Sequence, residues 1–68
     1  MKVFFGSKEI EIFRGATVQD AVRAFSERSY QLLIKGEILA VDRFGNTAEP
    51  DGALTEGQII TLQKPKKR

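Results

Sequence analysis

Apolar and polar residues alternate at the start of the chain. Val3 and Phe5 fall on one parity, Lys2 and Phe4 on the other. Gly6-Ser7-Lys8 interrupts, and Glu9-Ile10-Glu11-Ile12-Phe13 alternates again. Period-two patterning on either side of a glycine-containing turn predicts a β-hairpin. Gly6 as the first of two turn residues suits a type II′ turn, which needs a positive φ at that position. The predicted buried face is Val3, Phe5, Ile10 and Ile12. The predicted open face is Lys2, Phe4, Glu9, Glu11 and Phe13.

The period then changes. Arg14-Gly15-Ala16 breaks the strand. Val18, Ala21, Val22 and Phe25 recur at i, i+3, i+4 and i+7, the stripe of an amphipathic helix. Thr17 stands where an N-cap belongs, and Asp20 completes a capping-box pattern with Asp in place of Glu. Polar residues end the helix near Ser26 to Ser29. Leu32-Leu33-Ile34 reads as a short buried strand, with Tyr30 flanking its start. Lys35-Gly36-Glu37 reads as a turn, and Ile38 to Val41 as resumed extended chain. Gly45-Asn46 and Pro50-Asp51-Gly52 punctuate an irregular stretch. From that stretch Leu54 is expected to plug the core, and Phe44 to tuck beneath the sheet. Ile59-Ile60-Thr61-Leu62 is the last strand. This order predicts an α/β (α+β) domain of the β-grasp, ubiquitin-like type. It has one main helix on a mixed sheet of four to five strands, with the first and last strands parallel at the centre. The domain spans residues 1–63, and residues 64–68 form a basic, flexible tail.

Composition narrows the chemistry more than the fold. The chain has 68 residues, 41% hydrophobic and 29% charged, with no cysteine and no histidine. That balance suits one small globular domain. Cysteine's absence removes disulfides and thiol nucleophiles. Without histidine the commonest general base is missing, and with neither residue zinc loses its usual ligands. No phosphate-cradling glycine motif or calcium-loop spacing occurs. The sequence therefore predicts no catalytic residue, no metal and no cofactor, hence not an enzyme. Apolar runs are short, so neither a membrane span nor a signal segment is drawn, and a cytoplasmic location is expected. The net charge of +2 arises in the tail. Lys64, Lys66, Lys67 and Arg68 are four of the eleven basic residues, which leaves seven against nine acids in the body.

Several segments together resemble the small ubiquitin-like sulfur carriers of the ThiS/MoaD type. They are the opening hairpin, Gly15-Ala16-Thr17-Val18 leading into the helix, Leu33-Ile34-Lys35-Gly36-Glu37-Ile38-Leu39, and Leu54-Thr55-Glu56-Gly57-Gln58-Ile59-Ile60. The resemblance covers residues 1–63. It implies a β-grasp fold, and for the family itself a C-terminal Gly-Gly that an activating enzyme converts to a thiocarboxylate. This chain departs there. Its glycines are 6, 15, 36, 45, 52 and 57, no two adjacent, and it ends Pro65-Lys66-Lys67-Arg68. The TGS domains of RNA-associated synthetases and GTPases share the architecture and are the second resemblance.

The expected function is a non-enzymatic, ubiquitin-like protein-interaction module, related to sulfur carriers but without the reactive end. A TGS-like RNA-binding module is the alternative, and a true sulfur carrier the third reading. Phe4 and Phe13 are the expected anchors on the open sheet face, rimmed by Lys2, Glu9 and Glu11. The resemblance points to the same face, through which ubiquitin-like proteins bind partners. The expected partner is a protein, an activating-enzyme-like one among the candidates, with RNA behind it and no membrane. The tail cations Lys64, Lys66, Lys67 and Arg68 offer salt-sensitive contacts to phosphate, although a solvated terminus explains them as well. The chain is expected to be a monomer or a weak dimer through the uncovered edge of the second strand.

Overall fold

The computed structural model describes residues 1–65. Strands β1 (Lys2–Phe5) and β2 (Lys8–Glu11) form the opening hairpin. Helices α1 (Val18–Phe25) and α2 (Glu27–Ile34) follow. Strands β3 (Leu39–Val41), β4 (Thr47–Ala48) and β5 (Gln58–Gln63) complete the chain. The five strands make one mixed sheet in the order β2-β1-β5-β3-β4. β1 and β5 run parallel, and the other pairs are antiparallel. The parallel first and last strands sit at the centre as expected, joined by a crossover through the helices. The architecture is a mixed α+β fold of the β-grasp-like class.

The hairpin turns on Gly6 and Ser7. Gly6 has φ 63°, and no residue other than glycine takes a positive φ among the described residues. That combination is the II′ requirement. Val3 and Phe5 of β1 and Ile60 of β5 face the helices and are buried, as are Val18, Ala21 and Val22 of α1. Phe5 and Phe25 stack with ring centroids 4.5 Å apart and planes 10° apart. Ile12 and Leu54 close the core, the latter from the irregular stretch as expected. Ile10 is only half-buried because β2 is the sheet edge.

The start of α1 explains why the segment before β5 folds against the helix. The Asp20 carboxylate accepts from the Thr17 backbone N–H and from its hydroxyl, each at 3.0 Å. The next two N–H groups, of Val18 and Gln19, donate to the carbonyls of Gly52 and Pro50 at 3.0 and 2.8 Å. Helix termini leave such donors unpaired, and here the loop supplies the acceptors.

Residues 32–34 correct the sequence reading. They are not a strand but the last turn of a second helix, and Tyr30 lies on that helix. Ser26 has extended backbone (φ −164°, ψ 120°), which ends α1. Its Oγ accepts from Ser29 N–H at 3.2 Å, which starts α2. A three-residue apolar run fits a buried strand or a helix segment equally well. The N-cap upstream decides it. The helix then closes on Gly36, at φ 80°. Gly36 N–H donates to Leu33 O (3.1 Å), and Glu37 N–H to Leu32 O (2.9 Å). This pair of bonds is a Schellman motif. The Lys35-Gly36-Glu37 turn is therefore a helix C-cap. Leu33 is buried, whereas Ile34 faces solvent.

Candidate functional site

The helices cover one face of the sheet and leave the other open. Residue pairing places four of the five expected residues together on the open face. Phe4 lies between Glu9 of β2 and Ile59 of β5, and Lys2 lies opposite Glu11. Lys2 Nζ reaches Glu9 at 3.3 Å. The N-terminal ammonium sits 3.0 Å from Glu11. The hydrogen bond and charge of Glu9 raise the Lys2 pKa, and the N-terminal ammonium lowers that of Glu11. The three charged side chains, Lys2, Glu9 and Glu11, are all exposed, so they rim the face without bracing it strongly.

The fifth residue, Phe13, is not on that face. β2 ends at Glu11, and a turn closed by Ala16 N–H on Phe13 O redirects the chain. Strand alternation cannot be extended past that turn. Phe13 is 64% exposed and lines a groove of about 520 Å³ with Asp20, Arg23 and Ala24 of α1 and Glu27 of α2. Phe4 and Phe13 therefore do not form one patch.

Ile59 lies beside Phe4 instead, and Phe44 shares a groove with Ile59. Ile59 is 37% exposed on the open face. Phe44 is 75% exposed at the tip of the β3–β4 hairpin. This corrects the expectation that Phe44 plugs the core. Asp42 Oδ1 accepts from the N–H groups of Phe44 (2.9 Å) and Asn46 (3.0 Å), which folds the loop into a tight hairpin turn. The turn holds the ring outward, with the Arg43 guanidinium 5.2 Å from its centroid. Phe44 and Ile59 line one groove of about 420 Å³ with Asp42, Arg43 and residues 55–58. The far wall is tied to β1, since Glu56 Oε2 accepts from Lys2 N–H (3.1 Å) and Gly57 N–H donates to Lys2 O (2.7 Å). Val41 lies on the same face and is 5% exposed, outside the main core cluster.

Ile59 was legible in principle. In a strand reading Ile59-Ile60 one of the two must face away from the core. Phe44 was not, because its placement depends on the Asp42 carboxylate capping two backbone amides. Lys64 is exposed, and the expected contacts of Lys66, Lys67 and Arg68 lie outside the described residues. Among the described residues no group of three or more acidic side chains gathers as metal ligands would. No helix among them is long and apolar enough to cross a membrane. No family model, no curated protein and no solved structure matches this chain.

Proposed function

We propose that the protein is a non-enzymatic, ubiquitin-like interaction module of the cytoplasm, related to the ThiS/MoaD carriers but lacking their Gly-Gly end. It docks a protein partner through the open face of the sheet. One observation carries this reading: Phe4 and Ile59 are paired neighbours on the uncovered face, and Ile59 shares a groove with the exposed Phe44. Phe4 is half-buried, and Ile59 and Phe44 are exposed; accessible apolar side chains in neighbouring positions with a charged rim are the form a docking surface takes.

The aromatics also suit base stacking, which is the specific observation behind an RNA-binding alternative. Against it, Glu9, Glu11, Glu56 and Asp42 border the same face and repel phosphate. A carrier role calls for adjacent glycines, and no two of the six glycines in this sequence adjoin. The test is affinity capture with the wild-type chain and with Phe4→Ala, at low and high salt. The reading predicts proteins held by the wild type in both salts and lost by the variant. Retention only of RNA, released by salt, would overturn it.

A further inference from the structure

The sheet has two edges, and they differ. β4 is two residues long, too short to template another strand. β2 is four residues long and lies at the opposite edge. The direction of its backbone groups follows from the hairpin. Met1 and Ile12 exchange both hydrogen bonds, Ile12 N–H to Met1 O at 2.7 Å and the N-terminal ammonium to Ile12 O at 2.9 Å. In an antiparallel ladder such pairs alternate, so Val3–Ile10 and Phe5–Lys8 are also hydrogen-bonded pairs. Glu9 and Glu11 therefore aim their N–H and C=O groups away from β1. Lys2 turns its own toward β5, as its bonds with Gly57 and Glu56 show. Among the described residues nothing bonds the outward groups of Glu9 and Glu11.

We propose that the β2 edge accepts an added strand from a partner protein, an extended segment with cationic residues at alternate positions and apolar residues between them. The site adjoins the open-face surface and shares its Glu9 and Glu11 rim, but it is built on the backbone edge of β2 and not on Phe4 and Ile59. A strand laid along β2 takes hydrogen bonds from the outward groups of Glu9 and Glu11. Residues opposite those two project onto the open face, beside carboxylates whose side chains are 49% and 69% exposed. Cationic residues fit there, since opposite charges directly across a pair of strands stabilise it. The intervening residues project to the helix side. There the groove beside the end of β2 offers the exposed Phe13 ring and Ala24. A second copy of β2 is the wrong occupant. Antiparallel pairing about Ile10 sets Glu9 of each copy against Glu11 of the other, and like charges directly opposite destabilise the pair. The two glutamates thus act against self-pairing and for a basic strand.

The test titrates the isotope-labelled full chain with a capped peptide alternating Lys and Val, followed by backbone amide NMR. Controls are a peptide of the same composition in scrambled order and one with Glu in place of Lys. The expected result is that the Glu9 and Glu11 amides shift most and exchange more slowly with the alternating peptide. The scrambled peptide binds more weakly. Glu9→Gln and Glu11→Gln each weaken binding about threefold, and Phe13→Ala weakens it with the preference for Lys kept. Glu9→Lys with Glu11→Lys, both on the exposed edge, reverses the preference toward the Glu peptide. No binding, equal binding of the scrambled peptide, or largest shifts at Phe4 and Ile59 would each overturn the proposal. Shifts at Glu9 and Glu11 that follow protein concentration without peptide would assign the edge to another copy, and would overturn it too.

Discussion

Replacing Ser26 by alanine tests the segment where sequence and structure part. Ser26 joins two eight-residue helices, and its extended backbone separates them. Its Oγ is the acceptor for Ser29 N–H at 3.2 Å in a part-buried setting. Alanine removes that acceptor and leaves a donor of the first turn of α2 without it. Loss of an N-cap side chain costs about 1 kcal/mol, whereas glycine costs only a few tenths. Unfolding entropy of about 2.1 cal/mol/K per residue gives about 140 cal/mol/K for a chain of this length. Ser26→Ala should therefore lower Tm by about 7 °C, and Ser26→Gly by about 2 °C. Ser26→Asp should hold Tm near the wild type, because its carboxylate can cap the same donor. Thermal unfolding followed by far-ultraviolet circular dichroism reads all three. If residues 32–34 were a strand, Ser26 would lie in a loop and the three variants would unfold together. A Ser26→Ala Tm within about 2 °C of wild type, or a larger loss for glycine than for alanine, would refute the argument.

Gly36 holds φ 80° with open space where a Cβ would stand, so Gly36→Ala suffers backbone strain and no clash. The strain is about 1 kcal/mol, and a Tm loss of about 7 °C in the same assay checks it. Asp42→Ala should speed amide exchange at Phe44 and Asn46 by at least about threefold, each amide having lost its acceptor; unchanged exchange would mean that the turn does not depend on the carboxylate. Glu11 should titrate below its ordinary 4.5, because the N-terminal ammonium stabilises the charged form. A carboxyl held low in the folded chain contributes stability above its unfolded pKa, and that contribution is lost as pH falls through the lowered folded value. N-terminal acetylation should return the midpoint, read by side-chain NMR, toward 4.5, and a midpoint indifferent to acetylation would contradict the pairing.

How much of this was legible follows from the range of the interactions. The hairpin, the helix stripe from Val18 to Phe25 and the last strand are written in local periodicity, and each was readable. The parallel pairing of β1 with β5 followed from element order and the length between them. Leu32-Leu33-Ile34 carries no period long enough to choose between strand and helix, although Ser26, followed by the acidic Glu27, holds an N-cap signal for α2. The candidate site was half legible. Lys2, Phe4, Glu9 and Glu11 share a face because strand parity fixes it over four residues. Phe13 was misplaced because parity ends where the strand ends. Phe44 was misplaced because a carboxylate and two amides, not hydrophobicity, decide which way its loop folds.

The most direct test of the open-face account is the affinity of a captured protein partner for the wild type, Phe4→Ala and Ile59→Ala, each in low and high salt. The account predicts that truncating either side chain weakens binding by about tenfold, the loss expected of a buried anchor, and that salt changes the wild-type affinity little. Variants that bind like the wild type, with an affinity that falls steeply as salt rises, would contradict it and move the contact to charged groups.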